Sequence, residues 1–189
     1  MSQLVGENSK DRWYPNSIDN LKDYLNRYKN LDEEANSGLV SNLAYNLQYV
    51  EYLRKTLIEL NLSTVLKTQT IKSFIIASLS IIEAISIVVL EKKRNINFKE
   101  VIKDLKLLNN CPYSREDLDI LDELRILRNH IHLNKATDSN KTDFKKFWIK
   151  EYNEAKRLLY ILLTSEFFKS KATDLELFRF LNFNYSIGK

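Results

Sequence analysis

Apolar residues recur every three or four positions along most of the chain, which is the spacing of one face of an α-helix. Only 3 glycines and 2 prolines are present, so few residues interrupt this spacing. The interruptions separate about seven predicted helices. We expect these helices at residues 17–35, 40–60, 64–93, 98–108, 114–133, 143–169 and 174–182. Residues 1–15 lack the pattern and are expected to be irregular.

Length and composition indicate a single all-α domain, which we place at residues 16–189. A chain of 189 residues is long enough to bury a substantial core, whereas two domains would each be small. Apolar residues make up 44% of the chain and charged residues 29%, and helix formers dominate both groups. The sequence therefore predicts one helical bundle.

The cysteine content and the charge limit the class of protein. Cys111 is the only cysteine, which excludes an internal disulfide framework. The chain does not open with the residue pattern of a signal peptide, so a cytoplasmic location is expected. The formal net charge of +4 favours an anionic partner but is lower than that of a dedicated DNA-binding arm.

The third predicted helix contains "FIIASLSIIEAISIVVL", residues 74–90, which is apolar on nearly all sides. A membrane span needs about 20 such residues, and a charge in lipid costs several kcal/mol. This run is shorter and carries Glu83, so we expect a buried central helix and no membrane partner. Ser78, Ser80 and Ser86 should allow neighbouring helices to approach closely, and Glu83 then needs a buried partner.

The fifth predicted helix ends in "ELRILRNHIHL", which contains both histidines of the chain. At about 100° per residue, one stripe of this helix carries apolar residues and should face the core. A second stripe begins apolar and ends cationic. The first stripe is Ile120, Leu124, Leu127 and Ile131, and the second is Leu118, Leu121, Arg125, Arg128 and His132.

His130 and His132 point roughly 160° apart on such a helix, so they cannot bind one metal ion. Zinc is therefore not expected. His132 shares its face with two arginines, whose charge favours the neutral imidazole that can act as a base. The competing interpretation is structural, because cations are favoured near the C-terminus of any helix.

The order of residues at this helix end resembles the signature of HEPN domains, which are all-helical. In the resemblance, Arg128 and Asn129 form the arginine and polar pair, and His132 is the histidine. Glu83 matches the acidic residue that faces the motif from a long apolar helix. The gap between Arg128 and His132 is shorter than is usual, whereas Arg125 is followed by an apolar residue. Either Arg125 or Arg128 therefore remains a candidate for the arginine that acts together with His132.

The resemblance implies a metal-independent endoribonuclease without a cofactor, formed by a homodimer, in toxin–antitoxin or phage-defence systems. RNA and an antitoxin or companion protein are the implied partners. Attack by the RNA's own 2′-OH needs a base, an acid and cations around the phosphorane. His132 from each of two protomers would supply the base and the acid, and Arg125 and Arg128 would hold the phosphate. Asn129 would orient His132, and Glu83 would balance the arginines.

A two-fold interface along Leu118, Leu121 and Arg125 would bring the two His132 side chains together. The alternative function is a non-catalytic HEPN-like binding or regulatory module, in which the motif only stabilises the dimer. Nucleophilic catalysis by Cys111 is disfavoured, because no glycine-rich oxyanion turn accompanies it. The aromatic stretch "FRFLNFNY" near the C-terminus is expected to dock on its own core or on a dimer mate rather than to stack on bases.

Overall fold

The computed structural model describes residues 15–93, 95–129, 146–166, 169 and 176–182. Within these ranges the protein is all-α, as predicted, and the only extended pairing is a one-residue bridge between Tyr28 and Lys169. The α-helices are α1 (Ile18–Leu25), α2 (Ser37–Glu59), α3 (Thr64–Val89), α4 (Phe98–Leu107), α5 (Arg115–Asn129) and α6 (Ile149–Thr164). Two 3-10 helices span Glu34–Asn36 and Glu176–Leu181. The expected irregular segment, residues 1–15, lies outside the described residues apart from its last position.

The first helix is much shorter than predicted. It is capped by the Ser17 hydroxyl, which accepts a hydrogen bond from the Asn20 amide, but it ends at Leu25. The chain then turns through Asn30, whose φ of 65° is left-handed. The turn buries Tyr28 and Leu31 in the core. The free energy gained by burying these two side chains exceeds that of continuing the helix.

Residues 37–39, which lie between the first two predicted helices, instead belong to the second helix. α2 begins at Ser37, immediately after the short 3-10 helix. Its leucines and valines at three- and four-residue spacing are buried, as the pattern predicted. Those residues are Leu43, Leu47, Val50, Leu53 and Leu57, whereas Leu60, the last position of the predicted spacing, is 58% exposed after the end of α2.

α3 is the central helix and contacts α2, α4, α5 and α6. It is long and apolar enough to cross a membrane, and 61% of its most apolar window is buried inside the protein. It ends at Val89, four residues earlier than predicted, because Glu91 adopts a left-handed φ of 54° and the Lys92 amide donates back to the Ile87 carbonyl. Ser78 and Ser86 are buried between helices as expected, whereas the prediction for Ser80 was wrong because it is exposed.

α6 also differs from its prediction at both ends. It begins at Ile149 rather than 143, after a buried Phe147, and it ends at Thr164. The Trp148 amide donates to the Glu151 carboxylate at 3.1 Å, which fixes the helix start. The predicted seventh helix is the 3-10 helix Glu176–Leu181.

The described part of the C-terminal aromatic stretch docks on the core, as expected. Phe178 and Leu181 are fully buried. The Phe178 ring lies edge-on against Tyr24 of α1, with 4.6 Å between ring centroids. This contact packs the 3-10 helix Glu176–Leu181 against α1.

The start of α5 is fixed by a capping box formed by Ser114 and Asp117. The Ser114 amide donates to Asp117 Oδ2 at 2.9 Å, and the Asp117 amide donates to Ser114 Oγ at 3.1 Å. Asp117 also pairs with Arg157 of α6. Burial raises the pKa of Asp117, but the hydrogen bonds with Ser114 and the charge of Arg157 outweigh burial and place it below its ordinary value.

We therefore expect Asp117→Asn to destabilise the protein by about 1 kcal/mol at neutral pH. Because the pKa of Asp117 is lowered in the folded state, its stabilisation is complete above the ordinary aspartate pKa and is lost as the pH falls through the lowered value. Urea unfolding between neutral pH and about pH 3 measures this. The gap between wild type and variant should narrow towards the acid end. An unchanged gap would contradict the assignment.

Candidate functional site around Arg128

An ion pair joins the central helix to the last turn of α5. Arg128 Nη1 donates to Glu83 Oε2 at 2.7 Å, and the two side chains are 22% and 21% exposed. Glu83 therefore has the partner that its place in an apolar helix required. The structure thus contains the contact that the resemblance implied between the acidic residue of α3 and the arginine on α5.

The pair is backed by an aromatic ring from a third helix. The guanidinium carbon of Arg128 lies 5.6 Å from the ring centroid of Phe98, the first residue of α4. Phe98 is itself buried, and the Asn97 side chain caps α4 by accepting from the Lys99 amide. α3, α4 and α5 thus all fix the position of Arg128. The sequence analysis missed Phe98, because no local signal connects the start of α4 with the end of α5.

Arg128 retains the capacity to bind an anion in this position. A guanidinium carries five N–H donors in a planar fork, and the bond to Glu83 uses the Nη1 end. About a fifth of the side chain remains in contact with solvent. A phosphate oxygen approaching the exposed edge would meet a cation that is already held in one orientation.

Arg125 has a different partner from Arg128. Its Nε donates to Asp122 Oδ1 at 2.6 Å on the same helix, and the Arg125 side chain is only 11% exposed. Among the described residues, no ion pair joins Arg125 to Glu83. The spacing of three residues between Asp122 and Arg125 is a signal in the sequence that could have predicted this partner.

The remaining site residues are only partly placed. Asn129 is the last described residue of α5 and is exposed. His132, with its neighbour His130, lies outside the described residues. The structure therefore brings together Glu83 and Arg128, places Asn129 next to them along the helix, and gives Arg125 a separate contact.

The predicted division of α5 into a core stripe and an interface stripe is confirmed only for Leu124, which is 2% exposed in the core as predicted; the assignment of the second stripe to an interface was wrong. Leu118 and Leu121, assigned to a dimer interface, are 2% and 0% exposed in the core of the chain itself. Ile120 and Leu127, assigned to the core stripe, are only partly buried. The reason is that α5 packs against α3, α4 and α6. These contacts bury the face of α5 that carries the apolar residues of the second stripe. A dimer cannot form through Leu118 and Leu121 without opening this core.

Two other kinds of site find little support in the structure. Burial raises the pKa of the Cys111 thiol, and the charge of Asp117 raises it further against a hydrogen bond with Tyr113. This opposes the thiolate that nucleophilic catalysis needs. Within the ranges that the structure describes, no group of three His, Cys, Asp or Glu side chains is arranged to hold a metal ion.

The fold and the site define an all-helical bundle with an ion-paired, partly exposed arginine at the end of α5. The chain matches no protein-family model, and neither a curated protein nor a solved structure matches it.

Proposed function

We propose that this protein is a metal-independent endoribonuclease of the HEPN type, which acts as a cytoplasmic homodimer in toxin–antitoxin or phage defence. The observation that carries the proposal is the Glu83–Arg128 pair, in which the acidic residue of the apolar helix holds the motif arginine. RNA is the proposed substrate, and an antitoxin or companion protein is a further partner. No cofactor is required for this chemistry.

Each candidate residue has a role in the proposed reaction. His132 of one protomer takes the proton of the 2′-OH, and His132 of the other protonates the leaving 5′ oxygen. Arg128 binds the phosphate and stabilises the charge that develops on it, while Glu83 keeps the guanidinium in place. Asn129 orients the imidazole. Arg125 neutralises Asp122 beside the site and adds to the positive field only if that pair opens.

The second candidate function is a non-catalytic HEPN-like binding or regulatory module. One observation favours it: both arginines of the motif already have carboxylate partners, Glu83 for Arg128 and Asp122 for Arg125. Arginines committed in this way stabilise a helix end without contributing to catalysis. The two functions differ in whether RNA is cleaved.

The proposal predicts that the purified protein cleaves single-stranded RNA in the presence of excess EDTA. The 5′ products should end in a 2′,3′-cyclic phosphate, because the attacking group is the RNA's own hydroxyl. Gel electrophoresis of end-labelled RNA, with phosphatase treatment before and after acid opening of the cyclic phosphate, measures both features. Cleavage that requires a divalent metal, or products ending in a 3′-hydroxyl, would contradict the mechanism. Intact RNA together with a stable complex with another protein would favour the binding module.

A further inference from the structure

The outer side of α2 presents three tyrosines to solvent. Tyr45, Tyr49 and Tyr52 recur at spacings of four and three, so they share one side of the helix, and they are 53%, 45% and 53% exposed. The rings of Tyr49 and Tyr52 stack, with 6.4 Å between centroids and 19° between planes. Of the ten large hydrophobic residues that are exposed in the described part of the chain, seven lie between residues 45 and 66. Exposed apolar surface is therefore concentrated on α2 and on the start of α3.

α3 extends this surface beside α2. The two helices pack against each other and are joined by a short turn. α3 carries a row of small and apolar side chains at three- and four-residue spacing that stay partly or fully exposed: Ser73, Ile76, Ser80, Ala84 and Ile87. Glu83, which holds Arg128, borders this row. The three tyrosines of α2 and the row on α3 together are termed the α2–α3 face.

The α2–α3 face is almost free of charge. Residues 35–50 contain no charged residue and residues 73–90 contain only Glu83, in a chain of which 29% is charged. Glu83 is itself paired with Arg128. A two-fold interface brings the same surface of two chains together, so a charged face would repel its own copy, whereas an uncharged face does not. Depletion of charge together with exposed tyrosine is also the composition of an interface core.

A small apolar cavity lies at one end of the α2–α3 face. Its volume is about 210 Å³, and it is lined by Leu39, Ala84, Ile87 and Val88. An aliphatic cavity of about 150 Å³ is large enough to bind benzene, so this one has room for the ring of a tyrosine from a second chain. The face therefore offers both projecting rings and a cavity of matching size, which is what a self-complementary contact needs.

We propose that the α2–α3 face is the surface through which two copies of this chain associate about a two-fold axis. The inference rests on the proposed function, in which the reaction needs one His132 from each of two protomers. Because Glu83 borders the face, association through it puts the two Glu83–Arg128 pairs at one interface. It also leaves Leu118 and Leu121 in the core of each chain.

Sedimentation velocity of the intact chain over a range of concentrations tests the proposal. Wild type should sediment with a mass twice that of the 22.3 kDa chain. Tyr49→Lys puts like charges on both copies at an exposed position, so the variant should keep its circular dichroism spectrum but associate at least about tenfold more weakly. Leu107→Lys, whose parent side chain is 79% exposed on α4, is the matched control and should remain dimeric.

A mixing experiment separates repulsion between copies from a defect in folding. Tyr49→Glu alone should also dissociate, whereas equal amounts of Tyr49→Lys and Tyr49→Glu should restore the dimer, because opposite charges then meet across the interface. A monomeric wild type, a Tyr49→Lys variant that associates as tightly as wild type, or a mixture that stays monomeric would each overturn the proposal.

RNA cleavage by the same preparations distinguishes this inference from the proposed function. Dissociation of Tyr49→Lys with loss of cleavage supports both. Dissociation with full cleavage supports the interface and contradicts a reaction that needs two protomers. If Tyr49→Lys remains dimeric and cleaves RNA, only the assignment of the α2–α3 face fails, and if a wild-type dimer leaves RNA intact, only the nuclease fails.

Discussion

Replacing His132 with alanine is expected to lower the rate of RNA cleavage by about 10²- to 10⁴-fold, because general acid–base catalysis contributes an effect of that size. In the proposed dimer each His132 has a separate task, so one substitution removes both the base and the acid. Initial rates on end-labelled RNA in EDTA measure the effect. Circular dichroism and the mass in solution should match wild type, since the change leaves the described core untouched.

His130→Ala is the matched control for this prediction. The two histidines differ by two positions, and on a helix they would point in nearly opposite directions. The control variant should therefore cleave RNA at close to the wild-type rate. Equal losses in both variants would indicate a structural effect on this segment. Wild-type activity in His132→Ala would show that His132 is not the acid–base residue.

The helical fold could be predicted because its causes are local. Apolar spacing along α2 follows the 3.6-residue period, and the Ser114–Asp117 pair is a short-range capping signal that the structure reproduces. The contact between Glu83 and Arg128 could be inferred for a different reason. A carboxylate in an apolar helix must have a partner, and the resemblance to HEPN domains implied that this partner is the arginine motif on α5.

The orientation of α5 could not be predicted from its own sequence. Its apolar positions cover more than one stripe, and the packing of α4 and α6 on either side decides which stripe is buried. Leu121 is fully buried and Ile126 is 46% exposed as a result. The turn after α1 has a similar cause. Burial of Tyr28 depends on α6, whose Leu162 carbonyl accepts a hydrogen bond from the Tyr28 hydroxyl.

The burial of Leu118 and Leu121 changes which residues of α5 can form the proposed dimer interface. The proposed reaction still needs two protomers, because one His132 per chain cannot supply both the base and the acid. The interface must use residues other than Leu118 and Leu121, which are committed to the core. Chemical cross-linking with peptide mapping would locate the surface on which two chains meet.

Replacing Glu83 with glutamine is expected to destabilise the protein by about 1–3 kcal/mol, because it leaves Arg128 largely buried without its carboxylate. Urea unfolding at neutral pH measures the change. Glu100→Gln on α4 is the control, since Glu100 pairs with Lys103 in an exposed pair whose side chains are 50% and 58% accessible. That substitution should change stability by less than about 0.5 kcal/mol.

The double variant Glu83→Gln with Arg128→Gln separates the pair from the individual side chains. If the pair acts as a unit, removing Arg128 after Glu83 costs little more, and the coupling energy should reach about 1–2 kcal/mol. The proposed nuclease adds a second requirement: Glu83→Gln should also slow RNA cleavage, because Arg128 loses the contact that orients it towards the phosphate. Additive destabilisation would show that the two side chains act independently. Strong coupling with unchanged cleavage would assign the pair to stability alone and favour the binding module.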